Sequence, residues 1–388
     1  MSTTGHRSGP PVVGILGGGQ LARMLTEAAT PLGVHVRVLV ADGEEGASEV
    51  APDVVTGSAD DGNALLSFAA DVDVVTIDHE NVDHDTLASL EAAGTAVRPS
   101  VHTLRYSDKA HQRTHFAAAD LPVPEFEVVD PEGAGARESM QAFAARHGDR
   151  LVAKASRGGY DGRGVWMLEA DQIPGFIESY SGAPLVLEPV LELEIELAVL
   201  VARNPSGEVR TWPVLETIQV DGMCDEVVYP AGVPAALEAT AREVAAGVAE
   251  VTDAVGVLAV ELFVVGGEVL VNEIAPRVHN SGHMSIEAFG TSQFEQHLRA
   301  VLDWPLGPTE PLAPVAVMAN VVGTPHADPR ERQHVALAEV PGAHVHLYGK
   351  TPRDKRKIGH VTVLGADRDA VRRDAGAAAT LLADGPLP

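Results

Sequence analysis

Apolar positions along the chain alternate between two periods, and the alternation lays out its elements. VVGILG, residues 12–17, is a short unbroken apolar run and predicts a buried strand. QLARMLTEAATPLG repeats its apolar residues every three to four positions and predicts a helix closing at Gly33. VHVRVLVAD is a second strand, and ALLSFAADVDVVTID is a helix fragment followed by a strand. This alternation over residues 12–95 predicts a parallel doubly wound sheet. A helix, KAHQRTHFAAADL, then leads to Pro122 and Pro124. Residues 125–187 mix short strands with a glycine loop, as a small α+β lid does. From 188 strands dominate: EIELAVLVAR, VRTWPVLETI, LAVELFVV and EVLVNEI, with the long helix AALEATAREVAAGVAEVTDAVG interposed. VAVMANVVG, AHVHLYG and GHVTVLG add short strands after about 310, and the Ala-rich stretch from 365 reads as helical. The sequence holds no repeat of solenoid length and no low-complexity tract.

Composition narrows the function classes. The 388 residues exceed one ordinary core, so two or three domains are expected. A net charge of −27 argues against a general nucleic-acid binder, which would carry a basic face. Cys224 is the only cysteine, which excludes an intramolecular disulfide and a multi-cysteine zinc site. No apolar run reaches transmembrane length, and MSTTGHRSGPP lacks the apolar core of a signal peptide. The expectation is a cytoplasmic protein with a short disordered N-terminal tail and no nucleic-acid or membrane partner.

NEIAPRVHNSGH, residues 272–283, breaks the pattern. A core strand runs into twelve residues with almost nothing to bury, and buried polar groups cost free energy unless each finds a partner. The partners expected are a metal-nucleotide and an anionic substrate. The strand belongs to a hairpin with Gly266 and Gly267 at the tip. A two-residue loop sets Glu261 against Asn272 and turns Glu273 to the other face. A three-residue loop with a bulge sets Glu261 opposite Glu273, a repulsive pair that makes sense with a divalent cation between them. Counting along the sequence leaves both registers open.

Two glycine motifs suggest phosphates. Gly17-x-Gly19-x-x-Ala22 lies between a strand and a helix, with Asp42 after the second strand, matching a relaxed dinucleotide fingerprint. The same glycines also serve a bare strand-to-helix turn. Further on, LVAKASRGGYDGRGVWML places Lys154 on a strand before Gly158, Gly159, Gly162 and Gly164. It is no Walker A loop, but a strand lysine and a closing glycine loop can hold a nucleotide. Gly349-Lys350-Thr351 is a near miss to the Walker pattern, because His344 stands where the first glycine belongs. The pairs His111/His115 and His279/His283 have helical metal-site spacing, read respectively as a solvated helix face and as part of a non-helical substrate motif.

GILGGGQLARM, KASRGGYDGRGVW, GVLAVELFV…LVNEIAPRVHNSGH, SQFEQHLRAVLDWPLG and HLYGKTPRDKRKIGH follow one another in this order, and over residues 12 to 365 the chain resembles the 5-(carboxyamino)imidazole ribonucleotide synthases of purine biosynthesis. The resemblance implies a three-domain ATP-grasp fold: an N-terminal Rossmann-like domain over 1–108, a lid over 109–187 and a larger sheet domain over 188–388. It also implies a homodimer, with a carboxyaminoimidazole ribonucleotide mutase as functional neighbour. ATP and Mg²⁺ are the implied cofactors, and aminoimidazole ribonucleotide and bicarbonate the substrates.

Position by position, the resemblance assigns ATP to Lys109, Lys154, the loop Gly158–Gly164, Glu188 and Leu191 of EPVL, Glu196, Gln219 and Asn272. Glu261 and Glu273 match the Mg²⁺ ligands. Tyr160, Asp161, Arg277, His279 and Asn280 fall where amine and activated carboxyl meet. Lys350, Arg353, Arg356 and Lys357 match a basic cluster suited to the ribonucleotide 5′-phosphate, with Gln20 and Leu21 on the same substrate. Lys109 stands where arginine is often found, Gln219 where histidine is common, and Met284 where HNSGH is followed by tryptophan. The implied chemistry is phosphorylation of bicarbonate to carboxyphosphate and attack by the substrate amine, with Asp161 as candidate proton acceptor and Arg277 as candidate anion holder. A sibling formate-dependent transformylase, a nicotinamide oxidoreductase and a non-catalytic scaffold are the competing readings.

Overall fold

The computed structural model describes residues 9–159, 163–325 and 327–384. Residues 160–162, and with them Tyr160, Asp161 and Gly162, lie outside that set, as does the N-terminal stretch 1–8.

The first unit is the expected parallel sheet. Its strands are β1 (Val12–Leu16), β2 (His35–Val40), β3 (Asp53–Thr56), β4 (Val74–Ile77) and β5 (Ala96–Val97), ordered β3-β2-β1-β4-β5 with every pairing parallel. Helices α1 (Gln20–Leu32), α2 (Gly62–Ala69) and α3 (His84–Ala92) make the crossovers. Helix α1 ends as the sequence predicts. Gly33 takes a left-handed conformation (φ 66°) and its N–H closes on the last carbonyls, while Pro31 is accommodated in the final turn. Strand β3 was not among the predicted elements; its DVVT alternates half-buried and exposed residues and carries little apolar signal.

A short helix α4 (Val101–Leu104) and α5 (Lys109–Ala118) lead to the second unit. Asp108 caps α5 by accepting from the N–H groups of Ala110 and His111. The second unit is an antiparallel sheet of β6 (Glu127–Val129), β7 (Arg150–Ala155), β8 (Val165–Glu169) and β9 (Leu185–Glu188), ordered β6-β9-β7-β8. Helices α6 (Ala136–Arg146) and α7 (Ile173–Ser179) cover one face. Met140, Phe143, Leu151, Ile173 and Leu187 give it a core of its own.

The third sheet runs from β10 (Ile195–Arg203) through β11 (Val209–Thr211), β12 (Leu215–Val220), β13 (Met223–Tyr229), β14 (Gly256–Val265), β15 (Glu268–Ala275), β16 (Val315–Gly323) and β17 (Ala343–Leu347) to β18 (Arg356–Gly365). These nine strands form one sheet, ordered β15-β14-β10-β12-β13-β16-β18-β17 with β11 paired to β10. Between them run α8 (Ala235–Val251), α9 (Ser285–Ala288), α10 (Gln293–Val301) and α11 (Pro329–Glu339), and α12 (Arg368–Ala383) closes the chain. Alternation along β10 splits two cores: Leu197, Val199 and Val201 pack with α8, whereas Leu200 and Ala202 pack with α10 and the first unit. The second of these cores joins Ile15, Leu21 and Met24 to Phe294 and Leu298, so the parallel sheet and the large sheet share an apolar interior. The lid shares neither.

Candidate active site

The glycine turn after β1 explains its own glycines. Gly19 N–H and Ala22 N–H both donate to the buried Asp78 carboxylate, at 2.7 and 3.0 Å. A Cβ at Gly19 would lie 2.5 Å from Asp78 Oδ2, and one at Gly17 (φ 103°) would lie 2.9 Å from Asp78 Cβ. The anion position at the N-terminus of α1 is therefore filled by the protein's own carboxylate, where a dinucleotide pyrophosphate would sit. Leu21 is buried in the apolar interior, so the pair Gln20–Leu21 presents Gln20 to the cleft.

In the hairpin, neither counted register describes the strands. The tip is the two-residue turn Gly266–Gly267, both with positive φ, and Val265 pairs with Glu268. The register then shifts between Glu261 and Leu262. Leu262 faces Val271, Glu261 faces Glu273, and Asn272 is the extra residue. The bulge is thus at Asn272 rather than in the turn, and it is this bulge that sets the two glutamates opposite one another. Burial and then the Glu273 charge push Glu261 up to about 8. Burial would push Glu273 up as well, but the Lys109 ammonium bonded to it brings it below the ordinary value.

The other ammonium sits beside the bulge. Lys154 Nζ lies 2.8 Å from Glu188 Oε2 and 3.0 Å from Asn272 Oδ1. Arg113 holds the other side of Glu188 at 2.6 Å, and both partners are almost fully buried. Burial favours the neutral amine of Lys154, against the pull of Glu188. The Glu188 carboxylate is therefore committed to this triad, while Leu191 follows it in the connection before β10. Glu196, on β10, is raised by burial and hydrogen-bonded to Gln219 of β12. Gly158 (φ 77°) and Gly164 (φ 74°) form the neck of the glycine loop, where Ala155 N–H donates to Gly164 O at 2.8 Å.

The HNSGH segment is held by a motif whose role the sequence left open. Gln293, fully buried on α10, accepts from His279 N–H (2.8 Å) and donates to His279 O (2.7 Å) and His283 Nδ1 (3.1 Å). Three residues on, Gln296 grips Gly307 from both its N–H and its carbonyl side. His297 accepts from Val257 N–H (3.0 Å) and donates to Thr76 Oγ1 (2.8 Å), which fastens the large sheet to the parallel one and requires a neutral ring. Burial lowers His297 to about 4. Three buried polar residues of SQFEQH thus each satisfy groups on a different element. Their signal in the sequence was a set of glutamine and histidine residues on the apolar face of a helix.

His279 Nε2 lies 3.3 Å from Glu261, and its Nδ1 lies 2.9 Å from Ser281 Oγ. Asn280 and Asn320 exchange two hydrogen bonds at 2.9 Å. Glu287 accepts from His346 at 2.7 Å. Asn320, His360 and His346 form one cross-strand row over β16, β18 and β17. Asn280, His283 and Glu287 face that row rung for rung, with the His283 and His360 rings 5.0 Å apart. Burial holds both of these histidines well below their ordinary value. Arg277 Nε sits 2.9 Å from Glu80 at the end of the parallel sheet.

The basic cluster closes the cleft from β17 and β18. Lys350 donates to Gln20 of the first unit, and Arg356 lies 2.6 Å from Glu45. Lys357 is half-buried at the start of β18 and Arg353 is exposed in the preceding loop. Among the described residues no group of three or more His, Cys, Asp or Glu is arranged to hold a metal ion. His111 and His115 lie with their ring centroids 3.8 Å apart and their planes tilted by 35° on α5, with His115 at the surface.

Three sheets, a lid with a separate core, and a cleft lined by Lys154, the opposed glutamates and a basic loop define an ATP-grasp protein. The ATP-grasp domain model matches residues 114–294, the ribonucleotide synthetase preATP-grasp domain 11–108, and the phosphoribosylaminoimidazole carboxylase C-terminal domain 316–374. The chain is 46% identical over 367 residues to N5-carboxyaminoimidazole ribonucleotide synthase of Mycobacterium tuberculosis, covering 92% of this chain and 84% of that one. It is also similar to the carboxyaminoimidazole ribonucleotide synthase of Aspergillus clavatus solved with ATP, with TM-score 0.87, 32% identity and coverage of 96% and 98%. The same synthase solved with ADP and 5-aminoimidazole ribonucleotide gives TM-score 0.86 at 32% identity, again covering 96% and 98%. The chain belongs to the N5-carboxyaminoimidazole ribonucleotide synthase family of ATP-grasp enzymes.

Proposed function

We propose that the protein carboxylates 5-aminoimidazole ribonucleotide on its exocyclic amine, using bicarbonate and ATP and releasing ADP and phosphate. The observation that carries this reading is the cleft itself. Lys154, Lys109 and the Glu261/Glu273 pair converge at the Asn272 bulge, against the HNSGH segment that Gln293 fixes. The donor set fits a divalent cation: Glu261 and Glu273 face each other at the bulge, and burial and then the Glu273 charge disfavour the ionised Glu261 until a cation lies between them. Glu261 and Glu273 are the residues to hold Mg²⁺, with Asn272 beside them on the nucleotide, and the ion when bound would offset charge on the phosphate oxygens.

A bicarbonate oxygen attacks the γ-phosphorus and ADP leaves. The substrate amine then attacks the carbon of carboxyphosphate, phosphate leaves, and the amine proton passes to a base. Lys154 supports the first step as a fixed positive charge beside the phosphates. Arg277 and His279 hold the bicarbonate-derived oxygens, with Asn280 beside them. Lys350, Arg353, Arg356 and Lys357 take the 5′-phosphate, with Gln20 alongside. Glu188, Leu191, Glu196 and Gln219 line the nucleoside end. The loop Gly158–Gly164 closes over the phosphates and excludes water, with Asp161 as the proton acceptor. The division into 1–108, 109–187 and 188–388, a homodimer, a cytoplasmic location and a mutase that consumes the product complete the proposal. No helix among the described residues is long and apolar enough to cross a membrane.

The test is ADP release with Mg²⁺-ATP and bicarbonate, with and without aminoimidazole ribonucleotide. Strong stimulation by the nucleotide, lost in Glu273→Gln, is the expected result. Turnover only with glycinamide ribonucleotide and formate would move the activity to the sibling transformylase.

A further inference from the structure

Gly349-Lys350-Thr351 falls one glycine short of a phosphate loop, yet in the fold it cradles an oxyanion, the carboxylate of Glu45. Thr351 donates to it from its backbone N–H at 3.0 Å and from its hydroxyl at 2.5 Å, and Arg356 Nη1 donates from 2.6 Å. The two Thr351 hydrogen bonds, and then Arg356, hold the Glu45 carboxyl down at about 2. A backbone N–H, a hydroxyl and a guanidinium converging on two oxygens form the donor set that binds phosphate. Arg356 is one of the four cations assigned above to the substrate's 5′-phosphate, so this inference rests on that assignment.

Glu45 reaches the cradle from the parallel-sheet unit. Its loop is flanked by Gly43 (φ 79°) and Gly46 (φ 131°), conformations that suit glycine. Gly46 is wedged in place: a Cβ there would lie 3.1 Å from the Gly19 carbonyl and 3.2 Å from Tyr348 O. The Glu45 side chain keeps 28% of its surface exposed, so solvent reaches the contact it makes. The anchored backbone and the wetted side chain let the carboxylate leave the cradle without undocking the loop.

We propose that Glu45 is a specificity-determining residue, a built-in competitor that fills the phosphate subsite of Thr351 and Arg356 until a phosphorylated ribonucleotide displaces it. Every anion must then outcompete the carboxylate, and its apparent affinity drops by the fraction of molecules in which the cradle is filled. A phosphate dianion brings more charge and a third acceptor oxygen, so it regains more than a carboxylate or a halide can.

The experiment compares the wild-type chain with Glu45→Gln and Glu45→Ala, reading sulfate affinity by titration calorimetry and the KM for aminoimidazole ribonucleotide by ADP release. Both variants should bind sulfate about fivefold more tightly, with KM falling in parallel, the size expected for a solvent-exposed charge contact. Sulfate affinity unchanged in both variants, or a KM that rises, would make Glu45 a clasp retained in the substrate complex and overturn the inference. Tighter sulfate binding in the variants, with no protein turning over the nucleotide, would uphold the competitor and sink the assigned reaction.

Discussion

Replacing Glu261 by glutamine should make the protein more stable without nucleotide and less responsive to it. Folding places the Glu261 carboxyl opposite Glu273, where burial and that charge raise it from 4.5 to about 8. An acid raised in this way binds its proton more tightly when folded. The native state is therefore favoured below pH 4.5, and the advantage is lost as pH climbs to about 8. At about 1.36 kcal/mol per pH unit, the whole span amounts to about 5 kcal/mol in a rigid, dry site. The Glu261 side chain is 23% open to the cleft and Lys109 stands beside Glu273, so water and countercharge reduce the effect. About 2 kcal/mol is the expected cost of the ionised pair near pH 8. Glutamine keeps the shape and removes the charge. In a thermal melt at pH 8 without metal, Glu261→Gln should unfold about 2–5 °C above wild type, and the gap should close near pH 5. Adding Mg²⁺-ADP should raise the wild-type midpoint and barely move the variant's. A variant that melts below wild type at pH 8, or a gap that persists at pH 5, would refute the reasoning.

Three further outcomes follow from buried polar contacts. Stability should fall as pH drops from 6.5 to about 4, because the unfolded His297 imidazole takes a proton that the folded ring refuses. Denaturant titrations across that window should show a slope reduced by up to about one proton in His297→Gln. Gln293→Leu leaves His279 N–H, His279 O and His283 Nδ1 without their partner; it should cost about 3 kcal/mol in urea unfolding and lower kcat/KM about tenfold or more, and retention of kcat/KM would remove Gln293 from the site. Gly19→Ala drives a Cβ into Asp78 Oδ2 and should cost about 2 kcal/mol by the same measurement, part of which Asp78→Ala in the same chain recovers.

What could be read from the sequence was whatever lay along one strand or one helix. Val12–Leu16 and Gln20–Leu32 announce themselves by period and by Gly33, and the hairpin by its glycine pair. The register at Glu261 was beyond reach. Tip length and bulge position trade off against each other, and only the ladder through Leu262–Val271 shows that the extra residue is Asn272. The dinucleotide-like glycines pointed to a ligand because Asp78, their actual neighbour, lies 59 positions from Gly19. Gln293 and Glu45 were illegible for the same reason. Their partners come from other elements, and a buried glutamine looks like a packing choice until the groups it satisfies are in view.

The Asn272 bulge also makes the hairpin unevenly tolerant of changes in length. Residues can be gained or lost at the exposed Gly266–Gly267 tip, because the strands between tip and bulge can lengthen or shorten without disturbing Glu261 and Glu273. Asn272 is the residue the ladder skips: paired in a regular register it would face Glu261 and turn Glu273 to the opposite face of the sheet. Insertions should therefore accumulate in descendants of this chain at the tip of the hairpin and be eliminated beside Asn272, where an added residue must also be bulged out if the two glutamates are to stay paired.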